Sequence, residues 1–230
     1  FSIYIHIHKL SDAVRAAVGS LEPNESKQVS VDLKAGDTVG YIGGSTFDWT
    51  PLDMEAELDG FISPELYKTE SWKLYTVSPF DFYSGSLREQ LEAKSWRTVE
   101  PIGGKIDYDQ PGKLIGNWFR EGTNGYEGAN RERYWDGHLS VVPDYVDPAY
   151  TVVSIGNWNG KAAQFVVDPK VDPSTITSAN GAVKMQLRPL SYTDGSSNGN
   201  AGNTFSHSYR PSTEGAVAGT IMFQVLEGEK

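Results

Sequence analysis

The 230 residues contain no cysteine, which excludes disulfides, thiolate zinc sites and thiol nucleophiles. Basic residues are also short, with 20 Lys and Arg against 30 Asp and Glu, for a formal charge of −10. A nucleic-acid or anionic-membrane surface needs the opposite excess, so neither partner is expected. No apolar run approaches the ~18 residues that cross a bilayer, and no transmembrane segment is expected. Histidine is limited to His6, His8, His138 and His207, which leaves few members for any metal site.

Glycine (24), proline (12) and aromatics (12%) are plentiful, while long helical periodicities are few. That balance predicts a mainly β protein. Three regions are expected: a β region over 1–79, a helical connector over 80–101 and an antiparallel β region over 102–230. In the first, Ile3, Ile5 and Ile7 alternate with Tyr4, His6 and His8, so the isoleucines are expected in a core. A strand at the very start of the chain, with no tail before it, is expected of a mature or trimmed form of something longer. Ser11 caps a helix over 12–18 that Gly19 stops. Val29, Val31 and Leu33 alternate on one side of the Lys34-Ala35-Gly36-Asp37 turn and Val39 and Tyr41 on the other, which predicts a β-hairpin. Phe47 and Trp49 mark a third strand ending at Pro51.

The connector is predicted as a helix over 86–94, with Leu87 and Leu91 on one side. Beyond it, strands are predicted over 113–119, 138–142, 150–155, 162–167, 183–187 and 219–226. Asn124-Gly125, Asn159-Gly160 and Asn180-Gly181 are the hairpin signals between them. Such spacing points to an antiparallel β-sandwich or barrel. Asp194 opens a Gly/Ser/Asn-rich loop that runs to Asn203.

Several constellations carry possible chemistry. His6 and His8 share one strand face at about 7 Å spacing, and with Asp48 they would make a two-His, one-carboxylate metal set; a solvated polar strand face is the competing reading. Tyr134-Trp135-Asp136-Gly137-His138 reads as a turn around a buried tryptophan. Asp107/Asp109 and Asp144/Asp147 are candidate glycosidase pairs, a role fixed by spatial separation rather than sequence. Trp118, Trp135 and Trp158, mixed with Asn and Asp, would suit a ligand-binding face for carbohydrate, because sugars present CH surfaces to aromatics and hydroxyls to amides.

Tyr4-Ile5-His6-Ile7, followed by Ala35-Gly36-Asp37-Thr38-Val39-Gly40-Tyr41-Ile42-Gly43, resembles the Tyr-x-His strand and glycine-rich hairpin of the lysostaphin-type zinc endopeptidase domain, a duplicated hybrid-motif β-fold. The resemblance covers about residues 3–53. It implies a hybrid-motif-like sheet at the N-terminus and places His6 where that family keeps a catalytic base or transition-state stabiliser. It also sets Thr46-Phe47-Asp48-Trp49 over the family's His-x-His-Phe, so both histidines of that motif are replaced and Asp48 stands at a zinc position. The expected function is therefore a non-enzymatic binding or structural protein of the cell envelope or exterior, extracellular or periplasmic, on a degenerate peptidase-like scaffold, with cell-wall glycan or polysaccharide as partner and no cofactor. The alternative is a zinc-dependent hydrolase of peptidoglycan or polysaccharide, with His6, His8 and Asp48 at its centre.

Overall fold

His6 decides the course of the first strands. In the computed structural model, which describes residues 1–44, 46–123, 125–127, 134–193 and 209–228, His6 has φ 68°, a left-handed backbone that a β-strand cannot continue through. The chain is therefore cut into β1 (Ser2–Ile5) and β2 (Ile7–Leu10), and the two halves take different partners. β1 pairs antiparallel with β4 (Asp48–Pro51), with Tyr4 opposite Trp49 and Ile5 opposite Asp48. β2 pairs with β3 (Gly40–Ile42). The expected single N-terminal sheet is thus two separate two-stranded ladders. The expected isoleucine core is also corrected, since the break at His6 ends the two-residue alternation and leaves Ile5 46% exposed, with Ile3 and Ile7 only half-buried. Between β2 and β3 in the chain comes α1 (Asp12–Val18), capped by the Ser11 hydroxyl accepting from the Val14 amide and stopped by Gly19 at φ 68°.

The hairpin predicted around residues 34–37 forms only its turn. The Asp37 amide donates to the Lys34 carbonyl at 2.9 Å, and the Asp37 side chain accepts from the Lys34 amide at 2.8 Å. Residues 29–33 are not a strand, and Val29 and Leu33 are exposed.

The chain divides into two compact units, Phe1–Leu52 and Asp53–Lys230. Residues 53–79 and the connector helix α2 (Gly85–Glu92) therefore belong with the second unit. That unit is built on an antiparallel meander of six strands: β5 (Gly116–Phe119), β6 (His138–Pro143), β7 (Thr151–Trp158), β8 (Lys161–Asp168), β9 (Val183–Pro189) and, after the short pair β10 (Tyr192–Thr193) and β11 (Arg210–Pro211), β12 (Gly219–Phe223) on the outer side of β9. The sheet is curled into a half-barrel, and the protein is mainly β. Asn159-Gly160 closes β7 onto β8, with Val153 opposite Phe165 and Trp158 opposite Lys161. Asn180-Gly181 instead ends a single 3-10 turn, Ser178–Asn180, where the Asn180 side chain caps Thr177 and Gly181 takes φ 62°. The Asn124 of the remaining hairpin signal and the 194–203 loop lie outside the described residues.

Strand alternation divides the residues between the two faces. Val141, Val153, Phe165, Val167, Met185 and Leu187 point to one face, where Leu114, Ile176, Phe223 and Val225 complete the main core. The opposite face carries Asn117, Ser140, Val142, Val152, Ser154, Gln164 and Val166. Part of it is buried as well, Val152 at 6% and Val166 at 0% exposure, so something covers it. A smaller core of Phe61, Tyr67 and Leu74 is walled by Phe119 and Tyr126.

Candidate functional site

The cover over the second face is the segment 105–109, fixed at several points. Asp107 Oδ2 accepts from the Gly60 amide at 3.0 Å, Asp109 donates its amide back to the Gly60 carbonyl at 2.9 Å, and Asp109 Oδ1 accepts from the Asn117 amide at 2.6 Å. Gly60 is required here, because a Cβ would stand 1.8 Å from the Asp107 carbonyl oxygen. These are the carboxylates of the first candidate glycosidase pair. Each is buried and committed to backbone amides, and Asp107 also pairs with Lys105 at 2.9 Å.

The second pair is also divided by its surroundings. Asp144 is 2% exposed. Its Oδ1 accepts from the amides of Val146 and Asp147 at 2.9 and 2.8 Å, and its Oδ2 accepts from the Tyr192 hydroxyl at 2.7 Å. Asp147 Oδ1 instead accepts from the Ala149 amide at 3.0 Å. Burial, reinforced by the neighbouring Asp144 carboxylate, pushes the Tyr192 hydroxyl well above the ordinary tyrosine pKa, so it stays protonated and donating at neutral pH. Beneath this turn sits Arg97, 3% exposed, whose guanidinium donates to the carbonyls of Val99, Pro101 and Tyr145 at 2.8, 2.7 and 2.8 Å and to that of Glu100 at 3.4 Å. Arg97 thereby joins the loop before residue 105 to the turn that carries Asp144 and Tyr145. The Tyr145 ring lies over Gly104, where a Cβ would come within 2.8 Å of it.

Between these two walls and the sheet is a cleft of about 320 Å³. Its floor is Asn117, Ser140, Val142, Val152 and Gln164 from β5 to β8; Ile106 and Tyr108 form one side, Tyr145, Leu190 and Tyr192 the other. Lys105 and Asp144 are the charged residues among those that line it. Burial raises the Tyr108 hydroxyl above its ordinary pKa, against the pull of Arg97 and Lys105. The lining offers apolar and aromatic surface next to side-chain amides and hydroxyls, each able to donate and accept. Its carboxylate, Asp144, already accepts from three donors.

The residues expected from sequence lie elsewhere. In the first unit, His6 Nε2 and Asp48 Oδ2 are 3.4 Å apart, both side chains more than half exposed. His8 packs instead against Gly43, where a Cβ would touch its ring. Among the described residues no group of three His, Cys, Asp or Glu side chains is placed to hold a metal ion, and the His6–Asp48 pair falls short of the three protein ligands of a catalytic zinc. Trp118 and Trp158 pack against the main core, Trp118 donating its indole N–H to the Leu114 carbonyl at 2.8 Å and Trp158 meeting Phe165 edge-on at 5.1 Å. They face away from the cleft and do not form a carbohydrate platform. Trp135, expected buried, is 37% exposed in the 3-10 turn Tyr134–Gly137, and its carbonyl leaves no room for a Cβ at Gly156. His138, after that turn, reaches the carbonyls of Gly125 and Tyr126 and meets the Phe119 ring edge-on at 5.0 Å and the Tyr126 ring at a 43° tilt; burial lowers its pKa.

Asn117, Ser140 and Gln164 are the part of the cleft that sequence could show: with Ser154 they form one cross-strand row of polar residues on strands whose other face is core. Gly195-Ser196-Ser197-Asn198-Gly199 has the letters of a Gly-x-Ser-x-Gly nucleophile elbow, which needs a strand-to-helix turn around it; it lies outside the described residues. No protein-family model, curated protein or solved structure matches this chain.

Proposed function

We propose that the protein is a non-enzymatic binding protein of the cell envelope or exterior whose cleft on the half-barrel holds a segment of glycan. One observation carries the reading: Tyr108, Tyr145 and Tyr192 surround a floor that presents Asn117, Ser140 and Gln164 beside Val142 and Val152. A sugar has the complementary surface, with CH faces for the apolar patches and hydroxyls for the amides. The volume lies at the small end of ligand sites, which run to roughly 300–1,000 Å³, and suits one or two rings of a longer chain. The His6–Asp48 contact across β1 and β4 is the feature that supports a degenerate peptidase-like scaffold in the first unit.

Titration calorimetry against soluble fragments of peptidoglycan and of common polysaccharides tests the reading. Binding to at least one fragment, weakened tenfold or more by Gln164→Ala and by Tyr145→Ala with unchanged thermal stability, is the expected result. Heats no larger than dilution across the whole panel would sink it.

A further inference from the structure

We propose that the glycan held by the cleft is acidic and that Lys105 takes its carboxylate; the proposal rests on the glycan reading above. The lining carries one charge of each sign, Lys105 and Asp144, and the two are not equally open. Asp144 is 2% exposed, and its carboxylate accepts from the amides of Val146 and Asp147 and from the Tyr192 hydroxyl, so a cationic ligand finds it already committed. Lys105 keeps 41% of its side chain exposed. An ammonium has three N–H donors, and among the described residues Asp107 Oδ1, at 2.9 Å, is the one acceptor that Lys105 meets. Asp107 is itself anchored, its Oδ2 accepting from the Gly60 amide at 3.0 Å, and it does not line the cleft. The ammonium is thus positioned in advance with donors to spare, which lowers the ordering cost of binding. Its Nζ stands 5.8 Å from the centre of the Tyr108 ring, close enough that a pyranose resting against Tyr108 brings a carboxylate at C5 to it. The sugar hydroxyls then meet Asn117, Ser140 and Gln164, which donate or accept as their orientation requires.

Asp107 already offsets part of the ammonium's charge and the lysine is partly exposed, so the expected gain is that of a solvent-screened ion pair. At ~0.15 M salt a Debye length of about 8 Å confines the contact to this wall and damps the repulsion from the chain's net charge of −10. The probes are cellobiose, its uronic acid with the non-reducing hydroxymethyl oxidised to a carboxylate, and the methyl ester of that acid, which keeps its size without its charge. Titration calorimetry at neutral pH and that salt compares them on the wild-type chain, Lys105→Gln and Lys105→Arg, each checked for folding by thermal unfolding. The wild type binds the acid at least threefold more tightly than the ester. In Lys105→Gln the ratio of acid to ester falls to near one, while Lys105→Arg, which keeps the charge, keeps the preference. When cellobiose binds but the wild type holds the acid no more tightly than its ester, or the preference survives Lys105→Gln, the proposal is overturned and the glycan reading stands. No heat from any of the three on the wild type overturns the proposal as well, and the wider panel above then decides the glycan reading by itself.

Discussion

Replacing Arg97 by methionine keeps much of the side-chain volume and deletes every donor. Three of its hydrogen bonds are 2.7–2.8 Å long and the fourth is 3.4 Å, all at a residue 3% exposed. Among the described residues no carboxylate pairs with it, so the whole worth of the side chain lies in those carbonyls. A buried acceptor left without its donor costs about 1–3 kcal/mol. The carbonyls of Val99, Pro101 and Tyr145 share one donor group and do not add fully, so about 3–5 kcal/mol is expected for the set. For a unit of this size each kcal/mol shifts Tm by roughly 2–4 °C, giving a fall of roughly 6–20 °C. Thermal unfolding followed by circular dichroism measures it, with Arg88→Met as control, because Arg88 pairs with Glu92 on the surface and its loss is expected to leave Tm nearly unchanged. Arg97→Lys, which can satisfy only some of the carbonyls, is expected between the two. If Arg97→Met melts within a degree or two of wild type, the guanidinium does not join the loop to the turn, and the account of how the cleft wall is held is wrong.

Among the described residues Tyr67, Tyr108 and Tyr192 have hydroxyls raised above the ordinary value, in each case first by burial. For Tyr67, Asp109 adds to the rise while the Asn117 side chain opposes it without closing a hydrogen bond of good geometry. A raised pKa in the fold means stability that is whole below about pH 10, the unfolded value, and is lost as pH climbs beyond it; phenolate absorbance should therefore show groups that ionise late and together with unfolding, and a titration in which every tyrosine ionises before any loss of structure contradicts the assignment. His138 has the opposite sign: its depressed pKa makes stability present above about pH 6.5 and lost as pH falls, so His138→Gln should flatten the acid limb of a pH–stability curve, and an unchanged limb would place the burial cost elsewhere. At Gly156 a Cβ would lie 1.5 Å from the Trp135 carbonyl oxygen, and Gly156→Ala is expected to cost about 2–3 kcal/mol in chemical denaturation through forced backbone movement, a result refuted by wild-type stability. The chain purified without added metal is expected to carry no stoichiometric zinc and to leave cell-wall suspensions turbid; one bound zinc, with lysis lost in His6→Ala and Asp48→Ala, would return the first unit to the hydrolase reading.

How far the sequence could be read depended on where each pattern found a partner. All six strands of the half-barrel were legible, because Val141, Val153, Phe165, Val167 and Leu187 recur at the strand period and Asn159-Gly160 supplies a turn whose backbone only such residues tolerate. The same reasoning failed at residues 29–33, where the alternation is as clean but no apolar surface receives it. It failed again at His6, since nothing in Ile5-His6-Ile7 announces a left-handed residue, and that one residue splits the strand between two partners. A strand pattern states which residues can share a face and leaves open whether that face will be covered.

The candidate site turned on that same gap. Tryptophans drew attention as sugar platforms because they are large and scarce, yet Trp118 follows the strand period onto the core face shared with Val141, and the register shift after Ile155 brings Trp158 to the same core. Their polar neighbours Asn117, Ser140 and Gln164 lie on the other side by the same two-residue period, and a polar row opposite a core face ordinarily means solvent. Here Val152 and Val166, in the next row of the same face, are buried, so solvent does not take all of that face. What converts a wet face into a cleft is the segment 105–109, held by Asp107 and Asp109 through Gly60 and by Arg97 through four carbonyls. Of these, Gly60–Asp107 and Arg97–Tyr145 join residues 47 and 48 positions apart, which period and composition do not encode. The acidic pairs that suggested catalysis are the fastenings of the cleft wall.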